Sequence, residues 1–156
     1  MGNTEGDSIM RVLAFDPGKT TGWAEVWSPG EEIDSSYKGV ISTPYGDVVE
    51  HGSFPNWSTV EDLLTARSPD AVVYERFFIY PHKAASLQFD DVIAAQVIGV
   101  IRFLCKKLDV PIYRQTASEM KTHVVRMKHI SSFAPDHEYD AACHGVIWMF
   151  KHNRNG

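Results

Sequence analysis

Hydrophobic periodicity changes character once along this chain, and that change restricts the fold more than any other feature. The first third reads as strands joined by tight turns, and the remainder alternates short apolar strands with helical stretches. Met10 to Asp16 (MRVLAFD) is apolar enough for a central strand, and Pro17-Gly18 breaks it. Thr21 to Trp27 (TGWAEVW) alternates and is rich in aromatic and β-branched residues, so it reads as a second strand. Ser28-Pro29-Gly30 is a turn, and a third strand is expected near Ser36–Ser42. Residues 43–55 give no clear signal beyond an irregular strand-like excursion.

From Asn56 to Arg67, cap-type residues precede Val60, Leu63 and Leu64 at helical spacing, and Ser68-Pro69 stops that helix. Ala71 to Glu75 (AVVYE) is a short buried strand. A long helix starts between Pro81 and Leu87, with Val92, Ile93, Gln96, Val97, Val100, Ile101, Leu104, Cys105 and Leu108 on a 3.6-residue period. Val110 to Arg114 reads as a further strand. Thr116 and Glu119 form a capping-box pattern opening a helix from Ala117 to about Met127. Ser131 to Pro135 is a loop, and Tyr139 to Phe150 is a last helix. The expected architecture is α/β, a mixed five-stranded sheet flanked by helices, with three antiparallel strands followed by parallel ones.

The chain has 156 residues, enough for one ordinary domain over residues 10–152, with tails at 1–9 and 153–156. The first of those tails is expected to be disordered. No apolar run approaches the ~20 residues that span a bilayer, and Met1 to Ser8 is polar and acidic, unlike a signal or basic transit peptide. Cys105 and Cys143 lie in apolar helical patterns and read as buried thiols of a reducing cytoplasm. The formal charge is −5, but it is unevenly spread. Residues 1–75 hold 4 Lys and Arg against 13 Asp and Glu, whereas residues 76–156 hold 11 against 7. The second part can therefore meet a polyanion.

Four polar residues stand where a core prefers apolar ones. Asp16 ends the first strand and Glu75 ends the fourth. Ligands of open α/β sheets bind beyond the carboxyl ends of the strands, so neighbouring strands would aim both carboxylates at one cleft. His137 and Asp140, three residues apart, share a face at the start of the last helix. Asp136 is the alternative to His137 if the helix begins earlier. Three converging carboxylates repel one another unless a cation neutralises them, and hard oxygen donors suit Mg²⁺ or Mn²⁺. Two such ions roughly 4 Å apart activate water and stabilise a leaving oxygen in phosphodiester cleavage. Taken singly, Asp16 also fits a turn cap, Glu75 a partner of Arg76, and Asp140 a helix N-terminus.

Lys121, Arg126 and Lys128, with Arg76, Arg114, His123 and His129, supply positive charge that fits phosphates as well as a solvated face. Phe77 and Phe78 follow Glu75, where an exposed ring would stack on an unpaired base. The run Asp16 to Gly22 is no Walker A loop, since Leu13 occupies the position of its first glycine.

These residues resemble the RuvC-type Holliday junction resolvases of the RNase H-like superfamily, in a short form like those carried by bacteriophages. The resemblance runs from Arg11 to about Phe150. It rests on Phe15-Asp16-Pro17-Gly18-x-x-Thr21-Gly22-Trp23-Ala24, on Val73-Tyr74-Glu75, on His137-x-x-Asp140-Ala141-Ala142, and on Gln115-Thr116-Ala117-Ser118-x-x-Lys121. It implies metal ligation by Asp16, Glu75, His137 and Asp140, with two Mg²⁺ or Mn²⁺ ions per site. It also implies a role for Lys121 near the scissile phosphate, and Phe78 wedged into a four-way DNA junction. A cytoplasmic homodimer is implied as well, joined through the long helix near Val92–Leu108. The stretch from Lys121 to Asp136 is shorter than is usual for the family and lacks its Gly- and Lys-rich turn; Arg126, Lys128 and His129 stand as replacements. Rival readings are a less selective RNase H-like nuclease on branched DNA or RNA–DNA hybrids, and a non-catalytic junction-binding module. Kinase- and actin-like ATPases, with a similar first-strand motif, need two such domains.

Overall fold

In a computed structural model, the structure describes residues 10–30, 32–76, 89–124 and 136–153. The strands are β1 (Arg11–Asp16), β2 (Thr21–Trp27), β3 (Ile41–Ser42), β4 (Asp47–Phe54), β5 (Ala71–Glu75) and β6 (Ile112–Gln115). The helices are α1 (Thr59–Arg67), α2 (Phe89–Lys107), α3 (Ala117–Val124) and α4 (Asp136–Asn153). The sheet order is β3-β4-β2-β1-β5-β6. β1 pairs antiparallel with β2 and parallel with β5, and β6 pairs parallel with β5. The expected mixed α/β sheet is therefore present, but it has six strands rather than five.

The additional strand is β4, in the stretch without a clear pattern. Two of its polar residues meet distant side chains: Glu50 meets Arg67, and His51 Nδ1 lies 2.7 Å from Glu138 Oε1. The strand expected near Ser36–Ser42 shrinks to the two residues of β3, paired only with β4. The last helix begins at Asp136, three residues before the expected start. The expected start of the long helix, the 131–135 loop, the tail at 1–9 and residues 154–156 lie outside the described residues, and Asn153, expected in the second tail, closes the last helix.

β1 has no solvent face, which explains its unbroken apolar run. Val12 and Ala14 pack under α4, whereas Leu13 and Phe15 pack under α1 and α2. Small residues let α4 lie close on the sheet. A Cβ on Gly145 would sit 2.6 Å from Val26 Cγ2 and 3.3 Å from the Ala14 Cβ. The capping box is formed: Thr116 Oγ1 accepts from the Glu119 N–H at 3.0 Å, and the Glu119 carboxylate accepts from the Thr116 N–H at 2.6 Å. Cys105 and Cys143 are buried and free. Among the described residues no helix is long and apolar enough to cross a membrane.

One buried charge sits beneath the α1 side of the sheet. Glu25 is held by Arg67, with Nη1 2.8 Å from Oε1, and accepts from the Trp27 indole N–H. The same guanidinium pairs with Glu50 and lies 4.5 Å from the Trp23 ring centroid. Arg67→Met is expected to cost about 2 kcal/mol in a urea titration, since among the described residues the buried Glu25 then keeps only its indole donor. An unchanged midpoint would contradict this.

Candidate active site

Topology brings the acidic residues together. β1 and β5 run parallel with Phe15 opposite Tyr74, so Asp16 and Glu75 emerge side by side at the carboxyl ends of adjacent strands. They hydrogen-bond to each other. The first turn of α4 comes down over the same edge. His137 Nδ1 lies 2.9 Å from Asp16 Oδ2, and one turn further on Asp140 is near enough for its charge to act on Asp16. Of the two candidates at the helix start, His137 meets Asp16, while Asp136 is exposed and acts on Asp140 through its charge.

Gly22 makes that approach possible. It pairs with Asp16 across the β1–β2 ladder, and a Cβ there would lie 2.1 Å from the His137 carbonyl oxygen. His51 on β4 holds the other side of this turn through Glu138.

Burial drives the electrostatics. Asp16 is 4% exposed. Its pKa is pushed up to about 9, first by burial and then by the hydrogen bond and charge of Glu75 and the charge of Asp140. Burial also works to raise Glu75, but hydrogen bonds with His144 and Asp16 and the charge of both histidines outweigh it, so its pKa is lowered. Burial and its carboxylate neighbours thus favour the protonated form of Asp16, with Glu75 as the anionic partner. Asp140 is raised by burial and by the charges of Glu75 and Asp136, against His144 and His137.

Among the described residues, no three His, Cys, Asp or Glu side chains form a ready-made cage for a metal ion. The carboxylates turn instead to one another and to the imidazoles. The donor set still fits a divalent cation. A carboxyl that burial and two neighbouring carboxylates hold in its protonated form marks a deficit of positive charge that a hard cation would fill.

His144 is the residue that reading the sequence missed. It is fully buried on α4, with Nε2 3.3 Å from Glu75 Oε1. Its spacing was the available signal, since it follows Asp140 by four residues and His137 by seven, on one helix face. The basic candidates are placed less centrally. Arg76 is exposed directly after β5. Arg114 is exposed on β6, and strand alternation turns it to the face opposite Gln115, away from α4. Lys121 lies on α3. Phe77, Phe78, Arg126, Lys128 and His129 lie outside the described residues.

No family model matches the chain. A crossover junction endodeoxyribonuclease RuvC from Mycolicibacterium vanbaalenii is 27% identical over 117 residues, which cover 74% of this chain and 58% of the relative. The match thus spans less than two thirds of that protein's length. Thermus thermophilus RuvC, solved with a Holliday junction substrate, superposes with a TM-score of 0.67 at 15% identity, covering 94% of this chain and 96% of its own. The fowlpox virus resolvase, solved with Holliday junction DNA, gives a TM-score of 0.53 at 11% identity, covering 90% of this chain and 99% of its own. The fold is the RNase H-like fold of the resolvases. Within that class the chain is similar to RuvC, and the resemblance read from its motifs is supported by sequence and by structure.

Proposed function

We propose that this chain is a metal-dependent endonuclease that resolves four-way DNA junctions by paired nicks, with residues 10–152 as its catalytic domain. The observation that carries this reading is the meeting of Asp16, Glu75, His137 and Asp140 at one edge of a resolvase-type sheet. Those four residues would hold Mg²⁺ or Mn²⁺, two ions per site, supplying Lewis-acid charge to activate water and offset the leaving 3′-oxygen. The chain's own part is to present three carboxylates from rigid strand and helix ends, so that little reorganisation is needed when charge develops. Lys121 would offset charge at the scissile phosphate. Arg76, Arg114, Arg126, Lys128 and His129 would bind the backbone, and Phe77 and Phe78 would stack in the opened junction centre.

Paired nicks on a two-fold substrate call for a two-fold dimer. The long helix is the expected contact. α2 leaves Phe89 74% and Phe103 65% exposed, and Phe103 lines a cavity of about 540 Å³ together with Trp57 and Val100. Apolar exposure of this kind suits a partner surface.

The test is cleavage of a labelled four-way junction with Mg²⁺ or Mn²⁺, beside linear duplex and RNA–DNA hybrid. Symmetric nicks in the junction alone are expected. Cutting of linear DNA or hybrid would replace this reading with a broader nuclease, and binding without cutting under either metal would replace it with a junction-binding module.

A further inference from the structure

We infer that His144 is a positioning residue that fixes the Glu75 carboxylate for cation binding, an inference that rests on the metal-dependent reading above. Its neighbours Cys143, Val146 and Ile147 are buried and it is itself fully buried, where an apolar side chain would pack at no polar cost. Its ring makes one hydrogen bond among the described residues, from Nε2 to Glu75 Oε1 at 3.3 Å.

The contact with Glu75 identifies the donor. Nδ1 meets no hydrogen-bonding partner among the described residues. A carboxylate only accepts, so Nε2 carries the proton that it donates. The donation holds Oε1, so a cation that displaces the Asp16 proton would meet the remaining lone pairs of a fixed Glu75 carboxylate.

The backbone of His144 is pinned as well. Its carbonyl oxygen accepts from Gln115 Nε2 at 3.0 Å, and Gln115 is the residue opposite Glu75 in the β5–β6 ladder. One polar side chain therefore ties the α4 turn bearing His144 to the strand beside Glu75. Groups that hold metal ligands in this way commonly change metal affinity or activity when they are removed.

The experiment measures Mn²⁺ binding by calorimetry on the full chain at one pH, with melting curves for every variant. His144→Met keeps volume and loses the donor, whereas His144→Gln keeps an N–H near the position of Nε2. His144→Met is expected to weaken Mn²⁺ about 10- to 100-fold. His144→Gln is expected to stay close to wild type, and junction cleavage by His144→Met is expected to recover at high Mn²⁺. Folded His144→Met that binds Mn²⁺ as wild type does, while Asp16→Asn does not bind it, would overturn this inference alone. Wild type that binds no Mn²⁺ would overturn it together with the metal-dependent reading. Should His144→Met fail to fold, the ¹⁵N spectrum of the wild-type ring decides. A proton on Nε2 is expected, and an unprotonated Nε2 overturns the assignment.

Discussion

Asp16→Asn is expected to lower junction cleavage by on the order of 10² to 10³ or more, while leaving the metal-free protein at least as stable as wild type. Both halves follow from one proton. The pKa of Asp16 is pushed up to about 9 by burial first and then by Glu75, so near neutrality the side chain is a neutral donor. An asparagine has the same shape and charge, and its amide can donate to Glu75 in the same place. For a cation the two differ, because only the aspartate can give up its proton and become an anionic ligand. The pH dependence separates them further. The folded-state pKa of Asp16 lies above its unfolded value of 3.8. Its contribution to stability is therefore complete below about 4 and lost as pH rises to about 9. Glu75, with a lowered pKa, works in the opposite sense on the acid side, contributing above its unfolded value of 4.5 and losing that contribution as pH falls. Between pH 5 and 9, metal-free wild type should lose stability relative to Asp16→Asn in urea titrations. Wild-type Mn²⁺ affinity should rise about tenfold per pH unit in that interval, because binding releases one proton. Parallel stability profiles for the two proteins would show that Asp16 holds no such proton.

The sequence disclosed the elements whose burial is symmetrical or whose ends are chemically marked. β1 is apolar on both faces and stops at Asp16; β5 is apolar and stops at Glu75; Thr116 and Glu119 mark the start of α3. β4 escaped because its pattern is set by distant partners. Glu50 is polar for Arg67 and His51 for Glu138, and neither is near in sequence. The carboxylates of the candidate site were legible because each breaks an apolar pattern at a strand or helix end. His144 breaks one too, but inside a helix, where its spacing from His137 and Asp140 marks a shared helix face without naming the strand end above it. Only the three-dimensional approach of α4 to β5 joins it to Glu75. The same limit applies to Gly22. In sequence it belongs to a motif, and its physical purpose is visible only where two backbones meet.

Gly22→Ala is expected to disable the site without touching any of its polar side chains. The new Cβ would lie 2.1 Å from the His137 carbonyl oxygen and 2.6 Å from the Glu138 amide nitrogen. Both are backbone atoms of the first turn of α4, so no rotamer change relieves the clash. The helix end must lift from β2. Asp16 is the ladder partner of Gly22, so lifting the turn there opens the 2.9 Å contact between His137 and Asp16. The 2.7 Å contact between His51 and Glu138, on the other flank of the turn, opens with it. Overpacking against backbone costs about 3 kcal/mol, and a ligand set moved by about 1 Å loses on the order of 10² in rate. Melting curves and junction cleavage at saturating Mn²⁺ test both effects. The two losses should differ in their response to metal. Mn²⁺ binds the folded state and should restore part of the stability, but saturation cannot return His137 to Asp16 while the methyl group stands between β2 and α4. A Gly22→Ala protein that cuts at the wild-type rate would mean that the close approach of α4 does not hold the site together.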